Sequence, residues 1–235
     1  MEQQKLYSKV RQAIEAYDMI QEGDKIAVGI SGGKDSLTLL YALAGLRRFY
    51  PKSFSLEAIT VHTGIAGMDF SPVQAFCDKL EVSYSVIKTE IYDIVTRRNE
   101  KSLCPLCAKL RKGAFNEQAL SLGCNKIAYA HHKDDVIETF LMSLVLEGRI
   151  HTFSPVTHLD ETGLTLIRPL SFVTESEVKG FTRRYELPVV KNLCPADSVT
   201  KRENAKRMLG GLETEFPRAK NRIFAAIKRD HIDGW

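Results

Sequence analysis

The sequence predicts an α/β fold, in which a mostly parallel sheet is flanked by helices and followed by a basic helical C-terminal extension. Two observations predict this fold. Short apolar runs typical of buried strands alternate with segments whose apolar residues recur at helical spacing. A glycine-rich turn also joins the first predicted strand directly to a helix. Strands that alternate with helices form βαβ crossovers, and these place neighbouring strands parallel.

The N-terminal part of the chain is predicted to form a helix–strand–helix unit. Residues 5–20 form an amphipathic helix because their apolar side chains lie on one stripe. Gly23 and Asp24 end this helix, and the apolar run 25–30 is a short buried strand. A second helix, over residues 35–46, follows the glycine turn. Its apolar face consists of Leu37, Leu40, Tyr41 and Ala44.

The remaining chain continues the alternation of strands and helices. Further strands are predicted where short runs are apolar or alternate, over residues 56–62, 82–88 and 126–130. Further helices are predicted where apolar residues recur at helical spacing, over residues 71–80, 107–122, 135–146, 175–185 and 201–228. A chain of 235 residues can bury a full α/β core, in about one or two domains.

Composition and charge exclude several classes of protein. With 44% apolar and 26% charged residues, the chain is neither disordered nor collagen-like nor a disulfide-dense miniature. The N-terminus lacks the apolar core of a secretory signal, and the most apolar stretch, 140–146, is far shorter than the roughly 20 residues of a membrane span. We therefore expect a soluble, cytoplasmic protein without a membrane partner.

The basic residues concentrate near the C-terminus. The net charge is +4, but residues 201–229 contain nine Lys/Arg and only three Glu. A locally basic, helix-patterned segment predicts a surface that binds a polyanion. A solvated helical face has the same composition, so charge does not decide between the two interpretations.

The sharpest motif is the hexapeptide Ser31-Gly32-Gly33-Lys34-Asp35-Ser36, between a buried strand and a helix. Its two glycines let the backbone approach an anion closely. The N–H groups and the dipole at the helix start favour a phosphate, to which Ser31 and Ser36 add hydroxyl donors and Lys34 a positive charge. Asp35 would repel a phosphate unless a metal ion lies between them, so Mg²⁺ is predicted. The alternative is a capped strand–helix turn without a ligand.

The cysteines indicate metal or redox chemistry. Their number, five, is odd, and Cys104 and Cys107 form a CxxC pair in a chain without a secretory signal. With Cys194, three interpretations stay open: a zinc site, a thioredoxin-like redox pair, and an iron–sulfur cluster with three thiolate ligands and one open iron. Candidates for a further zinc ligand are His131, His132 and His158. Cys77 and Cys124 are expected to be small buried residues.

The hexapeptide, following residues 25–30, resembles the PP-loop of N-type ATP pyrophosphatases, which split ATP into AMP and pyrophosphate to adenylate a substrate carbonyl. The resemblance implies ATP and Mg²⁺ as ligands and a Rossmann-like fold of the adenine nucleotide alpha hydrolase type. It also implies three parts: an N-terminal helix over 1–22, a PP-loop ATP pyrophosphatase domain over 23–172, and a helical extension over 173–235 that carries Cys194.

Further segments are similar to those of tRNA 2-thiocytidine synthetases, an iron–sulfur branch of the tRNA thiolases. These segments are residues 104–111, 130–135, 167–170, 187–194 and 216–227. The resemblance implies an ATP-dependent tRNA sulfurtransferase that adenylates the C2 carbonyl of a tRNA cytidine and transfers sulfide carried on a 4Fe-4S cluster. The implied partners are tRNA and a sulfur donor such as a cysteine desulfurase. Two-fold assembly is common among soluble enzymes, so a homodimer is also expected.

The resemblance assigns the binding residues. The cluster ligands are Cys104, Cys107 and Cys194. The residues expected to bind the nucleotide are Ser31, Gly32, Gly33, Lys34, Asp35, Ser36, Val61 and His62. The last two lie at the end of the second predicted strand, the expected edge of the adenosine site, although an ordinary strand end has the same pattern.

The resemblance also implies the catalytic residues Asp35, Arg111 and Asp135. Asp35 acts through Mg²⁺, and Asp135 is an acid/base or metal-positioning residue, unless it only caps its helix. Arg111 follows Cys107 by one helical turn and is expected to face the cluster, unless it is only a surface charge. Arg168 is expected to have a comparable role.

Two other functions stay open. One is a PP-loop ATP pyrophosphatase with another acceptor, as in lysidine-type ligation or small-molecule thiolation. The other is a metal-bearing nucleotide sensor without turnover. An amine-ligating enzyme has no use for the three cysteines. The basic helices from residue 201 onward, with Arg97, Arg98 and Lys101, are expected to contact tRNA phosphates.

Overall fold

The computed structural model describes residues 1–97, 104–191, 193–194 and 201–235. Its single described sheet has six strands: β1 (Asp24–Gly29), β2 (Phe54–His62), β3 (Ser83–Lys88), β4 (Lys126–Ala128), β5 (Val156–Leu159) and β6 (Leu164–Ile167). The strand order is β3-β2-β1-β4-β6-β5. All neighbours pair in parallel except β5, which is antiparallel to β6. The predicted α/β class with a mostly parallel sheet is confirmed.

The described helices are α1 (Gln3–Ala16), α2 (Lys34–Leu46), α3 (Ser71–Lys79), α4 (Ile91–Arg97), α5 (Cys104–Ser121), α6 (Lys133–Glu147), α7 (Glu175–Arg184), α8 (Lys201–Glu215) and α9 (Ala219–Arg229). A short 3₁₀ turn, Ile232–Gly234, follows α9. In the part of the chain that is described, every helix is too short or too polar to cross a membrane.

The strand order reverses between β1 and β4. From β1 the chain proceeds to β2 and β3 on one side, and it then returns to β4 on the other side of β1. The connections after β1 and β4 therefore leave in opposite directions and open a crevice at the carboxyl ends of the strands, where α/β proteins bind ligands. The glycine turn follows β1, and residues 129–132 follow β4. The topology thus brings these two segments to the same crevice.

Helices cover both faces of the sheet. On one face, the core includes Leu6 of α1, Leu39 and Leu43 of α2, Val73 of α3 and Phe181 of α7. On the other face, α5 packs against the strands through Phe115 and Ala119. Helix α7 therefore packs in the same core as α1 and α2. The three-part division at residues 22 and 172 stays a prediction.

A smaller core joins α6 to the C-terminal helices. Val136 and Ile137 of α6 pack with Leu209 of α8 and Phe224 of α9, and Trp235 is buried among them. The indole Nε1 of Trp235 donates a hydrogen bond of 2.8 Å to the carbonyl of Phe153. Because α6 begins at the crevice, this core fixes α8 beside it.

A buried ion pair joins β1 to β4 at the opposite edge of the sheet. Lys126 Nζ lies 2.7 Å from Asp24 Oδ2 and donates to the carbonyl of Met19 at 2.9 Å. Asn125 Nδ2 donates to the other oxygen of Asp24 at 2.7 Å. Both charged residues are buried, so the pair holds the two strands that flank the crevice.

The structure differs from the sequence prediction at several elements. Helix α1 ends at Ala16 rather than at residue 20, and β4 ends at Ala128 rather than at residue 130. Helix α4 was not predicted. The β5–β6 hairpin was not predicted either, because each of its two strands has only four residues. Within the described residues, helix α5 already includes Cys104, three residues before the predicted start, because Pro105 is tolerated in a first helical turn, where its missing N–H is no loss. The helix predicted over 201–228 is two helices, separated by Pro217 and by Arg218, whose φ is +69°.

Candidate active site at the switch point

The glycine turn is closed by its own hydroxyl groups. Ser36 Oγ donates to the carbonyl of Gly33 at 2.9 Å, and Gly33 N donates to Ser31 Oγ at 3.2 Å. Gly33 is the N-cap of α2, and no side chain caps this helix, whereas α6 and α7 both begin with a capping box. The first N–H groups of α2 are therefore left for an anion, as in known phosphate sites at helix N-termini.

Residues that precede Cys194 run against the glycine turn. Val190 N donates to the carbonyl of Gly32 at 2.9 Å. Gly32 has a φ of +80°, and a Cβ built on it would lie 2.9 Å from the Cβ of Val190. Leu193 lies beside Gly67, since its Cδ1 is 3.3 Å from a Cβ built there. The segment that leads to Cys194, the third predicted cluster ligand, therefore starts beside the predicted phosphate site.

His132 joins the two loops of the crevice. It caps α6 by accepting a hydrogen bond at Nδ1 from Asp135 N (3.3 Å). The backbone N–H of His132 donates to Asp135 Oδ2 (2.9 Å). Its Nε2 lies 3.8 Å from Asp35 Oδ1. The structure therefore brings the predicted catalytic residues Asp35 and Asp135 to either side of one imidazole. Asp135 does cap its helix, and its other oxygen has a separate partner.

That partner is Arg202, on α8. Arg202 Nη1 donates to Asp135 Oδ1 and lies 3.7 Å from Glu138 Oε2, and Nη2 donates to Thr139 Oγ1 at 3.4 Å. Glu138 is 2% exposed, and its Oε2 lacks a hydrogen-bond partner among the described residues. Burial raises the pKa of Glu138 to about 7; Asp135 acts in the same direction, while Lys206 and Arg202 oppose it.

Lysines surround Glu175 at the start of α7. Lys34 Nζ lies 2.8 Å from Asp35 Oδ2 and 3.4 Å from Glu175 Oε1. Lys179 and Lys206 lie 3.1 and 3.8 Å from the same Glu175 oxygen. Burial would raise the pKa of Glu175, but the hydrogen bond from Lys179 and the charges of the lysines outweigh it and lower this pKa to about 2. The carboxylate therefore stays charged and draws α7 and α8 to the glycine turn.

Arg168 contacts the segment after β4, and the charge of Arg111 acts on Tyr129 in the same segment. Burial raises the pKa of the Tyr129 hydroxyl, and the charges of Arg168 and Arg111 both oppose this rise. Arg168 Nε also donates to His131 Nδ1 at 3.2 Å. The structure thus places Arg168 at the crevice, whereas Arg111, on the helix of the CxxC pair, is exposed and acts on Tyr129 through its charge.

The two residues predicted at the nucleotide edge lie on opposite faces of β2, as alternation along a strand requires. Val61 packs in the core beside α5. His62 accepts a hydrogen bond at Nδ1 from Gly64 N at 3.1 Å, and its ring lies edge-on to Phe70 at 5.9 Å. Phe70 Cε1 in turn lies 3.3 Å from a Cβ built on Gly32. His62 is therefore the one of the pair that lies beside the glycine turn.

The donor set of the cysteines fits an iron–sulfur cluster. Cys104 and Cys107 lie one turn apart at the start of α5, exposed and half-buried, and no acidic residue lies in this first turn. A helix N-terminus suits an anionic thiolate group. Cys194 is half-buried. No three His, Cys, Asp or Glu side chains in the described ranges form a metal-binding group, so the assembled cluster site and the Mg²⁺ site stay predictions.

The remaining cysteines and the candidate zinc histidines have other surroundings. Cys77 and Cys124 are buried, which confirms their predicted role in packing, and burial raises their pKa values to about 12 and about 11. His158 Nδ1 lies 3.5 Å from Thr165 Oγ1 in the β5–β6 hairpin. Nδ1 of His131 and of His132 already accepts a hydrogen bond. The zinc interpretation therefore gains no support within the described residues.

The basic extension divides into an inner and an outer set. Arg202, Lys206 and Lys220 contact the carboxylates of Asp135, Glu175 and Asp134, respectively. Arg202 and Lys206 are therefore engaged by the crevice rather than presented to an RNA. The outer, exposed set includes Arg207, Arg218 and Arg222. Arg97 is exposed too, and Arg98 and Lys101 lie outside the described residues.

Sequence reasoning missed Glu138, Glu175 and the inward contacts of Arg202. One signal for Glu138 was present, because residues 135 and 138 lie on the same face of a predicted helix. A signal for the start of α7 was also present in Thr174 and Glu177, which have capping-box spacing. Nothing local indicates that Arg202 returns to a helix 67 residues earlier.

The chain has known relatives over almost its whole length. The PP-loop domain family matches residues 2–209. The tRNA-cytidine(32) 2-sulfurtransferase of Citrifermentans bemidjiense is 36% identical over 231 residues, which cover 97% of this chain and 91% of the relative. The enzyme of the same name from Pelobacter propionicus is 39% identical, with 97% and 86% covered.

A solved structure is also similar over almost the whole chain. It is the U34-tRNA thiolase NcsA from Methanococcus maripaludis with its 4Fe-4S cluster, at a TM-score of 0.77 and 26% identity, covering 98% of this chain and 80% of that one. The fold and the site thus define a PP-loop protein. Within that class, the chain belongs to the family of tRNA-cytidine(32) 2-sulfurtransferases and is a sulfurtransferase enzyme.

Proposed function

We propose that the chain is an ATP-dependent tRNA sulfurtransferase, which adenylates the C2 carbonyl of a tRNA cytidine and replaces its oxygen with sulfur. The observation that carries the proposal is the meeting of Asp35 and Asp135 around His132, beside the uncapped start of α2. The names of the curated relatives support tRNA as the substrate and cytidine as the modified nucleoside.

The glycine turn binds the pyrophosphate half of ATP in this proposal. The N–H groups at the start of α2 donate to the phosphates, and Lys34 adds a positive charge. Asp35 holds Mg²⁺, which in proteins takes one or two carboxylates together with phosphate oxygens. His62, with Val61 behind it, forms the nucleotide edge at the end of β2.

The reaction has two steps. The C2 oxygen of the base attacks the α-phosphate and pyrophosphate leaves; a sulfur nucleophile then adds to C2 and AMP leaves. Asp135 is the acid/base or metal-positioning residue. Its two oxygens are oriented by the backbone N–H of His132 and by the guanidinium of Arg202. Such orientation matters because a catalytic carboxylate must be held in the reacting geometry.

Cys104, Cys107 and Cys194 hold the 4Fe-4S cluster in this proposal. When bound through three protein ligands, such a cluster supplies an iron that is open to the sulfur to be transferred. The 4Fe-4S cluster in the solved structure of NcsA supports this cofactor. Arg111, one turn after Cys107, binds the anionic sulfur or the AMP phosphate at this end of the crevice. The sulfur donor, a homodimer and a cytoplasmic location stay predictions.

The test of this function combines metal analysis with an RNA assay on protein purified without oxygen. We expect about four irons per chain, lost in Cys194→Ala but kept in the control Cys124→Ala, together with 2-thiocytidine in tRNA and release of pyrophosphate. Zinc without iron would contradict the cluster. Pyrophosphate release without thiolated tRNA would indicate another acceptor, and ATP binding without pyrophosphate release would indicate a nucleotide sensor.

The exposed arginines of the extension test the RNA surface. We expect Arg207→Glu with Arg222→Glu to weaken tRNA binding and to lower the slope of log affinity against log salt by about one per lost phosphate contact. The matched control is Arg11→Glu with Arg48→Glu, which reverses the same number of exposed charges outside the extension. Equal affinities and equal slopes for the two proteins would show that the basic face does not bind tRNA.

A further inference from the structure

Arg168 is a buried cation beside the crevice. It directly follows β6 and is 7% exposed. Across the described ranges, no Asp or Glu lies within ion-pair distance of its guanidinium. Its Nη1 donates to the carbonyl of Ser154 and to Thr157 Oγ1 (3.1 Å), and the guanidinium lies 4.7 Å from the centre of the Phe153 ring. Buried charges are ordinarily paired, so the use of this one needs an explanation.

The Nε donor of Arg168 fixes the protonation of His131. Arg168 Nε donates to His131 Nδ1 at 3.2 Å, and a guanidinium can only donate. Nδ1 must therefore be the acceptor, and the proton of the neutral ring sits on Nε2. Burial lowers the pKa of Arg168 to about 10, so it remains a cation at neutral pH.

The surroundings of His131 also keep the ring neutral. Burial and the charge of Arg168 lower its pKa to about 4; Arg202 and His132 act in the same direction, and Asp135 opposes them. The ring itself packs between two aromatic side chains. Its centroid lies 4.8 Å from that of Phe153 and 6.0 Å from that of Tyr129.

The position of His131 connects it to the reaction. In the segment after β4, His131 lies between Tyr129 and His132. The charges of Arg168 and Arg111 act to lower the pKa of the Tyr129 hydroxyl. Nε2 of His132 lies 3.8 Å from Asp35 Oδ1. His131 is half-buried, and among the described residues no protein atom accepts a hydrogen bond from its Nε2. The crevice therefore holds an N–H donor whose direction and protonation are both fixed by Arg168 and for which the described residues offer no acceptor.

We propose that His131 Nε2–H donates a hydrogen bond to an acceptor atom on the edge of the pyrimidine base to be modified, and that Arg168 is the positioning residue that fixes the donating tautomer. This inference rests on the proposed function. An uncharged N–H suits an uncharged acceptor such as a base oxygen or ring nitrogen, whereas phosphates are bound mainly by cations and backbone N–H groups.

The tautomer is tested by NMR on the full chain with ¹⁵N-labelled histidine. The chain has six histidines, so the His131 signals are assigned by their loss in His131→Phe. We expect an unprotonated Nδ1 and a protonated Nε2 that do not titrate between about pH 5.5 and 8.5. Arg168→Met should raise the pKa of this ring, because the repulsion by the guanidinium is lost while the burial remains, and Arg168→Gln serves if the Met variant does not fold. A protonated Nδ1 in the unmodified protein would overturn the tautomer assignment.

The contact with the base is tested by thiolation kinetics. We expect His131→Phe, which keeps a ring without a donor, to lower kcat/KM for tRNA about tenfold or more with an unchanged KM for ATP. His131→Gln keeps an N–H near the Nε2 position and should stay within about threefold of the unmodified enzyme. Equal kinetics for the Phe and Gln variants would overturn the contact. If the unmodified protein does not thiolate tRNA, the proposed function fails, while the NMR result stands on its own.

Discussion

Arg202 donates a hydrogen bond from Nη1 to Oδ1 of Asp135, which places a residue of the basic extension in contact with the carboxylate predicted to act in catalysis. The same guanidinium nitrogen lies 3.7 Å from Glu138. One cation thus serves two carboxylates on successive turns of α6. The electrostatics of the crevice depend on α8, and this dependence can be measured.

Replacing Arg202 should slow thiolation without unfolding the chain. We expect Arg202→Met to lower kcat at least about tenfold, equivalent to about 1.4 kcal/mol, because Asp135 loses the donor that orients one of its oxygens. Arg202→Lys should recover only part of the rate, since a lysine cannot contact both carboxylates and Thr139 from one planar group. Single-turnover rates measure the effect. Arg48→Met is the control, and a rate for Arg202→Met equal to that of the control would contradict this role.

Glu138 should make the stability of the fold depend on pH. Its pKa in the folded protein, about 7, lies above the ordinary 4.5. The folded state therefore binds this proton more tightly, so its contribution to stability is complete below about pH 4.5 and is lost as the pH rises through 7. We expect Glu138→Gln to gain about 3 kcal/mol relative to the unmodified chain between about pH 4 and pH 8.

Urea unfolding at several pH values measures this difference. The matched control is Glu147→Gln, an exposed glutamate at the other end of the same helix. Its free energy of unfolding should run parallel to that of the unmodified chain. If the curve of Glu138→Gln also runs parallel to that of the unmodified chain, burial does not raise the pKa of Glu138 in the folded protein.

A side chain at position 32 should destabilise the fold even without ATP. Gly32→Ala places a Cβ 2.9 Å from Val190 Cβ at a φ of +80°, and we expect a cost of about 2 kcal/mol or more. Val190→Gly in the same chain should recover part of that cost, with a coupling energy of about 1 kcal/mol. The control Gly113→Ala, in α5 and without atoms within 4 Å, should instead be neutral or slightly stabilising. Additive effects of the first two substitutions would argue against the contact.

The buried ion pair between β1 and β4 should be sensitive to loss of one partner. Lys126→Met leaves the buried Asp24 without its cation, and we expect the free energy of unfolding to fall by about 3–5 kcal/mol. Asp24→Asn in the Lys126→Met chain should restore part of it, because no charge is then buried. Lys25→Met, which breaks the more exposed pair with Glu57, should cost less than about 1 kcal/mol. A Lys126→Met cost as small as this control would mean that the pair contributes little.

Sequence reasoning succeeded where the determinants are local. The strand 25–30, the glycine turn and the helix after it are contiguous, so hydropathy and glycine placement are enough to predict them. The break between α8 and α9 was also readable, because Pro217 cannot continue a helix, but the regular apolar spacing on both sides concealed it.

The contacts that build the site could not be predicted in the same way. Arg202 reaches Asp135 only because Leu209 and Phe224 pack against α6, and Arg168 reaches His131 only because β6 pairs with β4. Both contacts join segments that are distant in sequence, and both depend on packing that no local pattern records. The four-residue strands β5 and β6 are too short to give a hydropathy signal of their own.

The C-terminal helices α8 and α9 cannot be exchanged independently of the helix against which they pack, α6. Lys220 of α9 lies 3.0 Å from the buried Asp134, and Val136 and Ile137 of α6 are covered by α8 and α9. A chimera that exchanged residues 201–235 for the tail of another enzyme would expose these apolar side chains. It would also leave the carboxylate of Asp134 without its cation. We therefore expect recombination with a foreign tail to succeed only when the surface of α6 changes with it, which makes α6 and residues 201–235 one unit for exchange.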